Sequence, residues 1–510
     1  IRLSLVGSEM CIRDSPAPDN NDLKESHTMK IYDCIILGTG YGGLGMGAQL
    51  VKDNEKDFLI LEAADEVGGV WRDNTYPGAA CDTQALIYCY SYFLNLGVSR
   101  MFAGQVEMQG YLKALAEEFG LYDHIKFNHR ITRAEWKEDL KAWEIEAAGE
   151  TYYGRVFVGA WGQLSKPKIP NFPNREAFQG VQFHSAEWNH DVDLNGKKVA
   201  VVGNAASAVQ LVPEVAKEAA KLSVFQRSAN YILPRNQVIF TEEETKEFKE
   251  NPDSYRAIRQ EIHEVREEGF DRTRKGTDSA AEGVEQAMEH LRSQVNDPEL
   301  VKKLTPTFAF GCKRILRSDD FYPTFNRDNV ELITAGIEKF TETGIRTDDG
   351  EEHDFDVVIY ATGFHSQEFQ GDLPIAGRDG IDLRERWGNS PEAYLGMSVD
   401  GFPNFFMLYG PNTNLNHHSV VAMLEAQDRY ISQAVAYLRD NPEAALDVKK
   451  DVIDEFNTRI QKELEASAFS ADCSSWYKNE EGRVINNWSG NVAEYYELTD
   501  ELKLDDYQLA

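Results

Sequence analysis

Gly38, Gly40 and Gly43 form a GxGxxG run directly after the apolar stretch "IYDCIIL", and Glu62 closes the next apolar stretch, "DFLILEAA", about twenty residues on. Glycines at this spacing let a backbone approach a pyrophosphate at a helix N-terminus, and a carboxylate at the end of the following strand takes ribose hydroxyls. A lone GxGxxG is weak, but strand, glycine turn, helix, second strand and terminal acid together make a complete dinucleotide-binding unit. A second set lies in "VAVVGNAASAVQLV", where Gly203 is the first loop glycine and Ala205 and Ala208 take the other two places. Ala in third place suits helix packing; Ala in second place puts a methyl where a phosphate should approach. The strand that follows ends in "FQRS" and not in an acid. Arg227 there suits a 2′-phosphate, which favours NADPH over NADH. Ser207 in the turn and Ser228 beside Arg227 join the candidate cofactor contacts.

These residues need elements to carry them. "LNGKKVAVVGNAASAVQLVPEVAKEAAKLSVFQRS" repeats the strand–turn–helix–strand plan of the first unit in architecture, not in sequence. Residues from about 237 to 308 are charged and helix-forming; "DFDVVIYATGF" is a buried strand ending at Thr362 and Gly363; "GFPNFFMLYGPNTNLNHHSVVAMLEAQDRYISQAVAYL" is a strand, a polar turn and a long amphipathic helix. The expected fold is α/β, with two Rossmann-type dinucleotide-binding domains and a helical insertion. The first domain is discontinuous, residues 29–162 and 362–510; the second is 163–236 and 309–361; the insertion is 237–308. Two such units imply two dinucleotides, and the commonest pair is a flavin and a nicotinamide. With no CxxC to relay electrons to a disulfide, oxygen is the natural acceptor.

Composition narrows the rest. A chain of 510 residues exceeds one core. Its 85 acidic and 53 basic side chains give a formal charge of −32, which argues against nucleic acid or anionic membrane surfaces as partners. An anionic cofactor therefore needs local cations. The six scattered cysteines fit reduced thiols in a cytoplasm. No apolar run reaches the roughly 18 residues of a membrane span, and no secretory leader is visible. The opening "IRLSLVGSEMCIRDS" reads as translated sequencing adapter, which places the expected start at Met29 and sets 1–28 aside as a non-native or disordered tail. Oligomeric state is open.

Two longer patterns resemble a known family. "FQGVQFHSAEWN" is similar to the FxGxxxHxxxW signature of type I Baeyer–Villiger monooxygenases in Phe178, Gly180, His184 and Trp188, with Asn189 where Pro or Asp is usual. "GGVWRDNTYPGAACD" is similar to the family's second pattern through Gly69, Trp71, Tyr76, Pro77, Gly78 and Asp82. "GCKR", "ATGF" and "GPNTNL" also resemble this family, within the flavin-containing monooxygenase superfamily. The resemblance implies that NADPH reduces FAD, O2 adds at the flavin C4a position, and the resulting peroxide converts a ketone to an ester or lactone. It implies that Arg314 stabilises the peroxide, that Asp82 orients Arg314, and that Lys313 joins Arg227 on the 2′-phosphate. Trp71 and Tyr88 are implied in the flavin pocket and Trp476 on a loop that contacts NADP. The Phe178–His190 stretch is implied to link the two domains, which makes His184 a packed histidine and not a chemical base. Asn416 and His418 depart from the Gly-His-Asn usual after the "GPNTNL" turn, and with His417 they carry no metal-ligand signal. Heteroatom oxygenation at a sulfide or amine, and an uncoupled NADPH oxidase that releases hydrogen peroxide, stay open as alternatives; Ala205 and Asn189 keep the second alive. A nucleotide-binding sensor would need neither Arg314 nor Asp82.

Overall fold

In the first sheet, β-branched and aromatic runs form strands buried on both faces, as parallel strands covered by helices must be. Ile31–Leu37 pairs in parallel with Phe58–Leu61 on one side and with Glu150–Gly159 on the other. Ile131–Lys137 and Ala142–Ala147 extend the sheet antiparallel, and Phe405–Met407 adds in parallel to Glu150–Gly159. The helices Tyr41–Lys52 and Val420–Asp440 pack on each other against this sheet. Residues 29–509 are described in this computed structural model, and 31–509 gather into one compact unit. The adapter-like tail therefore lies outside the described residues.

The second sheet has five strands, all parallel, in the spatial order Val330–Ile333, Lys221–Phe225, Lys198–Val202, Val357–Tyr360, Val181–His184. The stretch expected to be an interdomain linker thus supplies an edge strand. Val181 to His184 pair with Val357 to Tyr360, a partner that arrives over 170 residues later. The chain enters and leaves this half through a doubled neck. Lys168 N donates to Gly363 O at 2.8 Å and His365 N to Lys166 O at 2.9 Å, with a bridge between Pro167 and Phe364.

Helices occupy most of 242–303. Glu242–Glu250 starts with a capping box from Thr241 and Glu244, and Pro252–Glu268 starts with proline in its first turn. Their packing is divided. Phe248 and Tyr255 enter the core of the first half, whereas Leu291, Val295 and Leu304 enter the core of the second.

One expectation is overturned. Cys312 and Cys473, 161 residues apart, form a disulfide with their Cα atoms 6.4 Å apart, so the thiols are not all reduced. Spacing could not reveal it, because only the folding of the 306–317 loop against the 468–478 loop brings the two together. Cys34, Cys81 and Cys89 are free and buried. Among the described residues no helix is long and apolar enough to cross a membrane.

Candidate active site

Both glycine turns open onto one cavity of about 2330 Å³. A pocket for one small ligand is typically 300–1,000 Å³, so this cleft has room for two dinucleotides. At the first turn, a Cβ on Gly43 would lie 1.8 Å from Gly38 O, so the helix can seat only on glycine. A Cβ on Gly40 would meet nothing closer than Gly69 Cα at 3.8 Å. That glycine leaves open space where a phosphate can approach. Glu62 lies at the floor and accepts from Thr39 N at 2.9 Å, Thr39 Oγ1 at 2.6 Å and Arg72 Nη1 at 3.2 Å.

Trp71 and Tyr88 line the same cavity with their rings edge to face, centroids 5.9 Å apart. Trp71 Nε1, Trp161 Nε1 and Asn414 Nδ2 are buried donors without a protein partner, and Gln163 Oε1 is a buried acceptor without one; all four side chains line the cleft. Orphaned polar atoms are rare in folded cores. Grouped on a cavity between two glycine turns, they suit the heteroatoms of a flavin and a nicotinamide.

At the second turn Gly203 has φ +116°, and a Cβ there would lie 2.3 Å from Ala361 O. Ser207 is in the first turn of the helix Ala206–Glu218 and lines the cavity. Arg227 is exposed on the rim, and Lys313 Nζ donates to Ser228 Oγ at 2.8 Å. Burial and the neighbouring Arg227 charge push the Lys313 ammonium down from its usual range. Two cations that repel each other at one rim suit a shared anion. On a chain of charge −32 they are the local cations that an anionic cofactor needs.

Arg314 and Asp82 form a forked pair. Arg314 Nε donates to Asp82 Oδ2 at 2.9 Å and Nη2 to Oδ1 at 2.7 Å. Their side chains keep 32 % and 25 % exposure because they face the cleft, although protein surrounds them on every other side. Burial pushes the Asp82 carboxyl up, but Arg314, Arg266 and Arg317 together outweigh it and hold it below its usual range. Asp82 in turn holds the Arg314 guanidinium firmly protonated. Arg266 is brought down to about 10, by burial first and then by Arg317. The neighbourhood therefore carries more positive charge than one carboxylate balances.

Sequence reasoning missed several residues here. Arg266 comes from a helix read only as charged, and Arg317 lies just past "GCKR". Tyr409 OH donates to Asn414 Oδ1 at 2.6 Å, and Tyr477 OH to Asn416 Oδ1 at 2.6 Å; both phenols lie near Arg314. Tyr409 has φ +59°, a conformation that a bulky residue adopts only when its surroundings impose it. Gln210 ties the two halves together. It accepts from Tyr76 OH at 2.8 Å and donates to Ala80 O at 2.9 Å.

Trp476 lines the cavity, and Asn486 Nδ2 donates to its carbonyl at 2.6 Å. His184 is fully buried away from that cavity's lining; its Nδ1 accepts from Ala186 N at 3.1 Å, and burial lowers its pKa. His418 is pushed down to about 3 by burial, then by His263 and His417. Its Nδ1 accepts from Ser419 N at 2.8 Å, which leaves Nε2 to donate to His263 Nδ1 at 2.9 Å. Among the described residues no group of His, Cys, Asp and Glu is arranged to hold a metal ion.

A double dinucleotide-binding α/β fold with one cleft shared by both glycine turns defines the class. The model of the flavin-binding monooxygenase-like family matches residues 32–239. The chain is 38% identical over 477 residues to a Baeyer–Villiger monooxygenase of Pseudomonas aeruginosa, covering 93% of this chain and 90% of that one. It is 35% identical to a Baeyer–Villiger monooxygenase of Streptomyces coelicolor, covering 93% and 92%. Among solved structures, an oxidized steroid monooxygenase bound to NADP has a TM-score of 0.82 at 32% identity, covering 92% of this chain and 97% of that one. Closed cyclohexanone monooxygenase has a TM-score of 0.85 at 26% identity, covering 95% and 100%. This chain belongs to the flavin-binding monooxygenase family, in its Baeyer–Villiger branch.

Proposed function

We propose that the protein is an NADPH- and O2-dependent flavoprotein that inserts one oxygen atom beside the carbonyl of a small-molecule ketone, giving an ester or lactone. The observation that carries this reading is the Arg314–Asp82 fork, set between two dinucleotide turns in one cavity. In this reading residues 29–162 and 362–510 hold FAD, 163–236 and 309–361 hold NADPH, and 237–308 is the insertion. When bound, FAD supplies the transfer of two electrons from NADPH to O2 and the delivery of one oxygen atom to the substrate.

The chain's residues supply the environment. Gly38, Gly40, Gly43 and Glu62 bind the FAD pyrophosphate and ribose, and Trp71 Nε1 has a free donor for the flavin side of the cleft. Gly203, Ser207, Arg227, Ser228 and Lys313 bind NADPH. Arg227 and Lys313 together set the preference for the 2′-phosphate. Arg314 stabilises negative charge that develops during oxygen transfer. It keeps its protons throughout, because a guanidinium does not titrate at working pH and Asp82 strengthens its charge. Asp82 fixes the plane of the guanidinium by taking two of its N–H donors. Trp476 covers the NADPH side and keeps water out. An NADPH requirement fits a cytoplasmic setting.

The test is an NADPH-consumption screen of the purified, yellow protein over linear, cyclic and aryl ketones and over sulfides, with product identification. Ester or lactone in step with NADPH oxidation is expected. Sulfoxide alone, or hydrogen peroxide with no oxygenated product, would overturn the assignment.

A further inference from the structure

The disulfide joins the two parts of the site that the proposed chemistry must coordinate. Cys312 directly precedes Lys313 and Arg314, while Cys473 lies in the run Asp472–Trp476 that lines the cavity. Among the described residues, no hydrogen bond ties 472–475 to anything beyond the loop itself; the first are the Asn486 and Gln367 amides on the Trp476 carbonyl. For Asp472–Ser475 the S–S bond is thus the one long-range hold, whereas the Trp476 carbonyl is also held by Asn486 and Gln367. Cys312 is fully buried, but Cys473 is only half-buried and lines the cleft, which makes Cys473 the side a thiolate reaches and Cys312 the shielded leaving group. Cys312 Sγ also lies 3.2 Å from the Ala471 carbonyl, which can accept an S–H once the bond opens.

We propose that Cys312–Cys473 is a reversible thiol–disulfide modification site whose state sets how firmly Asp472–Ser475, next to Trp476, is held over the cavity. Opening takes a dithiol. Its thiolate attacks Cys473 Sγ, the S–S bond breaks and Cys312 leaves as a thiolate that takes a proton. The dithiol's second sulfur then resolves the mixed disulfide, freeing the Cys473 thiol and a cyclic disulfide. Two electrons and two protons pass to the protein. Closing takes a peroxide. One thiolate attacks the O–O bond to give a sulfenic acid and hydroxide, and the other thiol displaces water to restore the bond. Disulfides in reducing compartments are usually transient ones of this kind. The effect on turnover rests on the function proposed above; the bond chemistry and the hold on the segment do not.

The experiment treats the purified holoenzyme, without substrate, with dithiothreitol and then with hydrogen peroxide. Cysteines are trapped by acid, alkylated after unfolding and mapped, and hydrogen exchange is followed in peptides covering 472–476. Expected is opening of Cys312–Cys473 with the flavin spectrum intact, a several-fold rise in exchange confined to that segment, and reversal by peroxide. Cys473→Ser should show the fast-exchange pattern without reductant. If that variant does not accumulate as a yellow protein, the dithiol arm on the unaltered chain decides alone. A bond that opens only when the flavin spectrum is lost, or that opens without changing exchange, overturns the proposal. None of these readouts requires a ketone, so failure of the ketone screen leaves them standing.

Discussion

Asp82 accepts from both Nε and Nη2 of Arg314, a contact across 232 positions of sequence that joins the loop after the first glycine turn to the loop leading out of the helical stretch. The pair forms only when those two loops meet in the fold. It therefore couples assembly of the cleft to the orientation of its main cation.

Arg314→Ala is expected to retain FAD and to be bleached by NADPH, because those steps rest on other residues. Ester formation should fall by orders of magnitude, since a preorganised donor of this kind is worth about 3–4 kcal/mol. Stopped-flow absorbance with a product assay reads both. Ester formed at a near-unaltered rate would return Lys313 and Arg314 to an ordinary basic loop. Because Asp82 is held below its usual range, the unaltered enzyme should lose no activity to its protonation above roughly pH 5.

Arg227→Ala should raise the KM for NADPH by roughly 5- to 150-fold, the equivalent of about 1–3 kcal/mol for a charged hydrogen bond. The KM for NADH should barely move, since NADH lacks the phosphate. Equal use of the two nicotinamides by the unaltered enzyme would remove the 2′-phosphate site from this rim.

His184→Ala should slow turnover and leave FAD bound. Burial keeps His184 neutral across the working range, so no ionisation near neutrality should vanish from the pH–rate profile. Disappearance of such a step would make His184 an acid or base after all.

Asp428 is a buried carboxyl whose oxygens meet no hydrogen-bond donor, and the Tyr90 hydroxyl beside it gives its proton to Tyr41 O. Burial, then Glu425, raises its pKa well above the usual value. Its folded pKa exceeds its unfolded one, so its contribution is intact below about pH 4 and is lost progressively as pH rises toward the folded value. Asp428→Asn should abolish that loss, and the urea midpoint of the variant should exceed that of the unaltered chain by more at pH 8 than at pH 5. Parallel midpoints across that range would contradict a neutral Asp428.

The first glycine turn was legible in sequence because all its parts lie within about thirty residues of one another: Gly38, Gly40, Gly43 and Glu62 report one local unit. The Arg314–Asp82 pair could be suspected only through motif resemblance, since nothing local in "GCKR" names its partner. Arg317 was invisible for the same reason, and the local Tyr409–Asn414 contact takes its meaning only from the Arg314 that folding brings beside it. Val181–His184 does not read as a strand in sequence because a four-residue strand at a sheet edge has too short a pattern to stand out, and its partner strand comes much later. The disulfide was hidden by its 161-residue separation.

The doubled neck has a use in making chimaeras. Its bonds run main chain to main chain, Lys168 to Gly363 and His365 to Lys166, so they are indifferent to which side chains stand there. A graft of the second half from a relative should join cleanly at those crossings. The misfit would arise further in, where Phe248 and Tyr255 must fill the recipient's own core while Leu291 and Val295 fill the donor's. A serviceable splice therefore leaves Glu242–Glu268 with the recipient and changes parentage between there and Asp278, in the stretch that joins the two helical pairs.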